Sequence, residues 1–183
     1  DFLEDVLEVL AYLHSRTPPI VHRDVKPSNI VIDDDDQVAL VDFGAVQLVL
    51  PDTDGGSTIV GTTGYFGLEQ LMGKAVPASD LYGAGATMVH VMSGVHPAEL
   101  EMERNRLQFE DAVDAPEWLI SFLGRLLEPA AEDRFEDASE ALEQFRRVRD
   151  SGGLIEMDGR SMVESSVSSG GRWLDVSSRR VLV

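Results

Sequence analysis

Two short apolar runs, separated by a polar turn and each adjoining a polar side chain, constrain this chain more than any other feature. Residues 30–32 and 38–41 flank the turn 33–37 and predict a β-hairpin. Asn29 precedes the first run and Asp42 follows the second. Because a hairpin returns its two ends to the same place, we expect these two oxygen-bearing side chains to lie together.

The turn itself contains four consecutive aspartates, residues 33–36. Calcium loops also use aspartates, but they space them so that alternate side chains face one ion. Consecutive carboxylates cannot all do so. The sequence therefore predicts a solvated turn and not a calcium site.

The loop before the hairpin, His22-Arg23-Asp24-Val25-Lys26-Pro27-Ser28-Asn29, supplies the chemistry. Asp24 and Lys26 alternate along it, so both can point into one cleft beside Asn29. A carboxylate that orients a hydroxyl, a lysine that neutralises a phosphoryl group and oxygen ligands for Mg²⁺ are what phosphoryl transfer requires of a protein. This spacing favours a phosphotransfer site.

Helical periodicity elsewhere predicts a mainly α protein. The predicted helices are residues 2–14, 79–93, 116–127 and 135–149. The second is apolar nearly all round, which indicates a helix buried on every side. Residues 45–67 predict a long functional loop, and residues 98–114 are polar with no clear pattern.

A change in composition near Asp150 divides the chain into a globular domain, 1–149, and a Gly/Ser-rich tail, 150–183, which we expect to be flexible or weakly structured. The net charge of −18 disfavours nucleic-acid binding, which needs a basic face. There are no cysteines, no long apolar run and no secretory leader, so we expect a cytoplasmic protein without a membrane segment.

The motif 22–29 with Asp42-Phe43-Gly44 resembles the eukaryotic-type serine/threonine protein kinases. Three later stretches, 61–69, 79–85 and 128–135, resemble the end of that family's activation segment, the start of its central helix and its closing arginine motif. The resemblance covers residues 1–149. It implies the helical C-terminal lobe of the kinase fold, ATP and Mg²⁺ as cofactors, and a protein substrate with a Ser or Thr acceptor.

The resemblance also implies a role for each matched residue. Asp24 would orient the substrate hydroxyl and Lys26 would contact the transferred phosphoryl group, with Asn29 and Asp42 as Mg²⁺ ligands. Glu69 and Arg134 would form an ion pair that anchors the activation segment, and Asp80 would hold the catalytic loop. The residues that would support the site are His22, Arg23, Phe43, Gly44 and Thr62.

Two features of the resemblance concern specificity and regulation. Lys26 together with Thr62 indicates the serine/threonine class rather than the tyrosine class. Arg23 before Asp24 implies an activation loop ordered by phosphorylation, because arginine pairs well with phosphate. The candidate phosphorylation sites are Thr53, Ser57 and Thr58.

The chain departs from the family in three places. Gly67-Leu68 replaces the usual Ala-Pro, and residues 98–114 are short for the helix normally found there. No glycine-rich loop is present, and the only lysines are Lys26 and Lys74, neither of which matches the strand lysine that holds ATP phosphates. We therefore expect the C-terminal lobe alone, with the N-terminal lobe absent.

Three hypotheses follow. The first is part of an active serine/threonine kinase, and the second is a non-catalytic kinase-like lobe used for interaction or scaffolding. The third, a small-molecule phosphotransferase of similar fold, is disfavoured because Lys26, Thr62 and Arg134 belong to the peptide-substrate machinery of the family. The remaining histidines, His14, His90 and His96, lack metal-site spacing and are interpreted as ordinary core or surface residues.

Overall fold

The computed structural model describes residues 2–42 and 64–152, which form a mainly helical lobe with two short hairpins. Five α-helices are α1 (Phe2–His14), α2 (Leu68–Leu71), α3 (Pro77–Ser93), α4 (Glu117–Leu126) and α5 (Ala138–Asp150). The hairpins pair β1 (Ile30–Ile32) with β2 (Val38–Leu40) and β3 (Met102–Glu103) with β4 (Arg106–Leu107). Single 3₁₀ turns lie at Pro27–Asn29, Pro97–Glu99, Glu110–Ala112 and Ala131–Asp133.

The central helix α3 is buried along most of its length, as its uniformly apolar sequence predicts. It begins at Pro77 and not at Ser79, because Ser79 lies in the first turn and its hydroxyl accepts a hydrogen bond from the Val76 N–H at 3.0 Å. Gly94 ends the helix with a φ of 69°, a conformation that glycine adopts without strain. This start, two residues earlier than expected, places Pro77 at the first helical position, where its missing N–H costs nothing.

Helix α1 lies against α3, α5 and the first hairpin. Its apolar face, spaced three and four residues apart, is fully buried at Leu3, Leu7 and Leu10. Aromatic side chains fill the other end of the core, where the Phe122 ring lies 5.2 Å from the rings of both Phe135 and Phe145. The helix packing thus leaves the β1–β2 hairpin at one edge of the lobe.

The start of α5 and the structure of residues 98–114 also differ from what the sequence predicts. Helix α5 begins at Ala138, not Phe135, because the Asp137 carboxylate caps it by accepting from the Ser139 and Glu140 N–H groups. Residues 98–114 contain the β3–β4 hairpin, whose turn residues Arg104 and Asn105 have φ values of 50° and 66°. Those positive values are typical of a tight type I′ hairpin turn. A hairpin this short has no repeating apolar pattern, so the sequence does not predict it.

Among the described residues, no helix is long and apolar enough to cross a membrane. The acidic turn between β1 and β2 is organised by its own side chain: Asp33 Oδ1 accepts from the N–H groups of Asp35 and Gln37, both at 2.9 Å. The predicted tail lies outside the described residues from 153 onward.

Candidate active site

The loop that leads into β1 brings Asp24, Lys26 and Asn29 together. Lys26 Nζ lies 2.8 Å from Asp24 Oδ2. Asn29 Nδ2 donates to the same carboxylate oxygen at 2.8 Å and to the Asp24 carbonyl at 2.9 Å. The side chains of Asp24 and Lys26 are each about one-fifth exposed, so a carboxylate and an ammonium group meet near the surface and not in the core.

The β1–β2 hairpin closes this loop. Its register pairs Ile30 with Leu40, and the Val41 N–H donates to the Asn29 carbonyl at 2.9 Å. The backbone of Asp42, the next residue, therefore lies close to that of Asn29. Asp42 is exposed and has a φ of 58°. The hairpin brings the two ends together as expected. Phe43 and Gly44 lie outside the described residues.

Asn29 suits a hard cation because of how its amide is oriented. The side chain is buried, and its Nδ2 donates to Asp24, so the amide oxygen Oδ1, which accepts a long bond of 3.5 Å from the Ser28 hydroxyl, is the atom that could bind a metal. Within residues 2–42 and 64–152, no group of three or more His, Asp or Glu side chains could hold a metal ion. A site with two protein ligands completed by phosphate oxygens and water is the arrangement that Mg²⁺ favours.

Asp80, at the start of α3, holds the catalytic loop from below. Its side chain is fully buried and accepts the His22 N–H at Oδ2 and the Arg23 N–H at Oδ1, both at 2.7 Å. His14 Nε2 makes a third bond to Oδ2 at 3.0 Å. Because the Ala138 N–H donates to His14 Nδ1, the ring proton lies on Nε2 and a neutral imidazole can donate to Asp80. One carboxylate thus links the loop to α1, α3 and α5.

Hydrogen bonds to the backbone of His22 and Arg23, and one from the His22 ring, hold these two residues in place. Arg23 adopts a φ of 72°, which the two bonds to Asp80 stabilise, and its carbonyl accepts from Gln70 Nε2 at 2.8 Å. The buried His22 ring bonds to the Val41 carbonyl at 3.1 Å. The loop is therefore tied to both the hairpin and α2, while the Arg23 side chain is exposed.

Glu69 and Arg134 form the expected ion pair, and Glu69 lies in α2, shortly after residues 43–63. Arg134 Nη1 lies 2.8 Å from Glu69 Oε1, and Nη2 lies 3.3 Å from Oε2. The buried guanidinium also donates to the carbonyls of Ala78, Glu128 and Pro129. Burial would raise the pKa of Glu69, but hydrogen bonds from Arg134 and Ser79 outweigh it and leave that pKa below its ordinary value.

Gly67 explains one departure from the family pattern. A Cβ added there would lie 2.4 Å from Glu69 Oε1, so the glycine leaves room for the carboxylate that binds Arg134. The remaining sequence-predicted residues, Thr62, Thr53, Ser57 and Thr58, lie outside the described residues.

Sequence reasoning missed three residues that support the site. His14 was interpreted as an ordinary histidine, although its position four residues after Leu10 places it on the buried face of α1. Nothing in the sequence around Gln70 indicates that its side chain would bind the Arg23 carbonyl. Gly83 lies where a Cβ would be 2.8 Å from the Val25 carbonyl, so the helix can approach the catalytic loop closely only with glycine at this position.

A comparison with protein families finds that residues 1–145 match the model described as "Protein kinase domain". The serine/threonine-protein kinase PknA of Nostoc sp. is 35% identical to this chain over 156 residues, which cover 80% of this chain and 27% of that protein. Serine/threonine-protein kinase B of Synechocystis sp. is 29% identical, covering 85% of this chain and 29% of that protein. The chain thus spans less than a third of the length of these relatives.

Among solved structures, the one named PpkA-294 apo form matches with a TM-score of 0.60. It is 21% identical in sequence, and the match covers 77% of this chain and 51% of that chain. At this identity the likeness concerns the fold. The predicted kinase-like lobe is confirmed.

Proposed function

Because the chain belongs to the protein kinase family, we propose that it carries the phosphotransfer half of a serine/threonine kinase site. The proposed reaction moves the γ-phosphoryl group of ATP to a Ser or Thr hydroxyl of a protein substrate. The observation that carries the proposal is the cluster of Asp24, Lys26 and Asn29, joined by bonds of 2.8 Å within one loop.

In this proposal Asp24 orients the attacking hydroxyl and takes its proton. The new bond forms between the substrate oxygen and the γ-phosphorus while the bond between that phosphorus and the leaving ADP oxygen breaks. Lys26, whose ammonium group already lies beside the carboxylate, stabilises the negative charge on the transferred group. Its placement fits a reaction in which positioning and charge stabilisation supply most of the catalysis.

Asn29 and Asp42 would hold Mg²⁺ through one amide oxygen and one carboxylate. The ion would supply positive charge that neutralises the phosphates when bound. The chain's own contribution is orientation: Asp24 fixes the Asn29 amide, and the β1–β2 register fixes the backbone of Asp42 beside it.

Nucleotide affinity should be low for these 183 residues by themselves. The sequence contains no glycine-rich loop, Lys26 is at the catalytic loop, and Lys74 follows α2. Neither lysine matches the family's ATP-clamping lysine. We expect weak ATP binding and negligible turnover by this stretch alone, since neither phosphate positioning nor water exclusion would be complete.

The test of catalysis is phosphate transfer from radiolabelled ATP by the natural polypeptide that contains these residues. Asp24→Asn should lower kcat by roughly a hundredfold to ten-thousandfold, since it removes the proton acceptor. Asp36→Asn is the matched control, because Asp36 is an exposed turn residue with a positive φ that asparagine tolerates. Equal activity of the parent protein and Asp24→Asn would refute the assignment.

The second candidate is a non-catalytic interaction or scaffolding module, which fits the observation that neither Lys26 nor Lys74 matches the family's ATP-clamping lysine. Thermal unfolding of the natural polypeptide that contains these residues, with and without millimolar Mg·ATP, separates the two. A rise in Tm that Asp42→Asn abolishes and Asp36→Asn preserves supports the kinase assignment. No transfer by the natural polypeptide together with no Tm change supports the scaffolding role.

A further inference from the structure

Residues 64–67, which immediately precede α2, rest on the end of α3 and on the 3₁₀ turn Pro97–Glu99. Gly64 has a φ of 103°, and a Cβ there would lie 2.8 Å from the Ala98 nitrogen and 3.1 Å from Pro97 Cβ. The backbone of this segment therefore packs directly against the turn, with no room for a side chain at position 64. The position of residues 64–67 therefore depends on how the turn is held.

Three rings form a cluster at this contact: Tyr65, His90 and His96. The Tyr65 hydroxyl is hydrogen-bonded to His90 Nδ1, and the Tyr65 side chain is buried. The Tyr65 and His96 ring centroids are 5.2 Å apart with the rings nearly perpendicular, and the centroids of the two imidazoles are 5.4 Å apart. The cluster joins the segment 64–67, the last turn of α3 and the loop that follows it.

The hydrogen bonds fit the neutral form of both imidazoles when Tyr65 and the Ala98 N–H are the donors. Burial raises the pKa of Tyr65 to about 12, so its hydroxyl keeps its proton and can donate to His90 Nδ1. The Ala98 N–H donates to His96 Nδ1 at 3.2 Å. An imidazole nitrogen that accepts carries no proton, so both histidines are neutral in this arrangement.

We propose that the Tyr65–His90–His96 cluster is a proton-sensitive contact that holds residues 64–67 in place while both imidazoles are neutral and releases them when these are protonated. His90 and His96 are then positioning residues, since they act through Tyr65 and through the Pro97–Glu99 turn. The proposal concerns the fold of the chain and stands whether or not the chain transfers phosphate.

Protonation disturbs each histidine for a different reason. A proton on His96 Nδ1 would face the Ala98 N–H, donor against donor, so the ring would have to leave the turn. A proton on His90 would place a charge in a partly buried position 5.4 Å from the other imidazole. The charged group opposing this is Glu99, on the 3₁₀ turn, whose carboxylate favours the protonated form.

The surroundings of His90 lower its pKa. Burial lowers the pKa of His90, His96 lowers it further, and Glu99 offsets part of the shift, leaving the pKa below the ordinary value of 6.5. Well above pH 6.5 the His90 imidazole is neutral in both the folded and the unfolded chain. As the pH falls below 6.5, the released form takes up a proton first, so the held arrangement loses stability down through the folded pKa.

Hydrogen exchange of the full chain, corrected for the intrinsic pH dependence of exchange, tests this locally. Protection of the backbone amides in residues 64–67 should fall as the pH drops from 6.5 toward the folded pKa of His90, by about tenfold per pH unit for each imidazole whose protonation is coupled to opening. The double variant His90→Gln with His96→Asn keeps both acceptors without titrating, and Asn is a good cap for Ala98. Its protection should stay flat from pH 7.5 to 5.5.

His14 and His22 are present in both proteins, so their titration cancels in the comparison. A histidine-specific NMR titration gives the second readout: the His90 ring and the Tyr65 ring should shift with one common midpoint below 6.5. The same pH dependence of protection in the parent and the double variant would overturn the proposal. So would protection in the parent that does not change with pH.

Discussion

Two buried polar anchors hold two different segments against α3, and they are built from opposite charges. The anchor of the catalytic loop is a carboxylate, Asp80, whose donors are two backbone N–H groups and a neutral imidazole. The anchor of the segment that contains α2 is a guanidinium, Arg134, whose acceptors are one carboxylate and three backbone carbonyls. Neither anchor depends on a single partner.

The difference lies in what remains when one side chain is removed. Losing Asp80 removes the acceptor of three donors at once, because the His22 N–H, the Arg23 N–H and His14 Nε2 all meet at one buried carboxylate. Losing Glu69 leaves Arg134 with its bonds to Ala78, Glu128 and Pro129. The comparison teaches that the catalytic loop depends on one residue, whereas the other segment shares its anchoring among several groups.

The largest expected effect comes from Asp80→Ala. The substitution should lower the free energy of unfolding by about 3–5 kcal/mol, since each buried donor left unpaired costs about 1–3 kcal/mol. Urea unfolding measures it. Asp114→Ala, at an exposed aspartate, should change stability by less than about 0.5 kcal/mol. A loss below 1 kcal/mol for Asp80→Ala would show that the three donors find other partners.

Gly83→Ala should destabilise next, by about 1–3 kcal/mol, as overpacking does. The added Cβ would meet the Val25 carbonyl at 2.8 Å, and backbone atoms cannot move aside cheaply. Gly124→Ala is the matched helical control: its Cβ meets only the flexible Arg106 guanidinium, so helix propensity should stabilise the protein by up to about 1 kcal/mol. Opposite signs in urea unfolding are expected, and equal signs would mean that α3 does not pack on the catalytic loop as described.

Glu69→Gln should cost about 1–2 kcal/mol, less than Asp80→Ala, because the amide oxygen still accepts one bond from Arg134 and a hydrogen bond to a charged group contributes about 1.5–3 kcal/mol. Thermal unfolding at pH 7 measures the difference. A loss of stability as large as that of Asp80→Ala would contradict the view that the carbonyls of Ala78, Glu128 and Pro129 also hold Arg134 in place.

The smallest effect is a pH dependence at the same position. The pKa of Glu69 is lowered in the folded protein from 4.5, so its contribution is fully present above pH 4.5 and is lost as the pH falls through the folded value. The difference in stability between the parent and Glu69→Gln should therefore shrink below pH 4.5. A constant difference from pH 6 to 3 would show that the ion pair contributes nothing through its charge.

Much of the helical framework could be predicted from local patterns. The period of apolar residues defines α1 at the predicted bounds and places α3, α4 and α5 within a few residues, because each helix buries one stripe or its whole surface. The starts of α3 and α5 shifted because capping by Ser79 and Asp137 is local side-chain geometry that periodicity does not report. The β3–β4 hairpin went unpredicted because two-residue strands carry no pattern.

The candidate site, too, could be predicted only in part from the sequence. The sequence placed Asp24, Lys26 and Asn29 in one loop, and a hairpin register was sufficient to bring Asp42 beside Asn29. It offered no reason to connect His14 with Asp80 or Tyr65 with His90, because these contacts join residues 66 and 25 positions apart.

The sequence by itself determined the chemistry available, because residue types at short spacing set which side chains share a loop or a helix face. Only the tertiary structure decided which buried groups satisfy one another, since helix packing brings together donors and acceptors that are distant in the chain. His90 shows the distinction: by sequence an ordinary histidine, it gains the hydroxyl of the buried Tyr65 as a neighbour only when α3 meets residues 64–67.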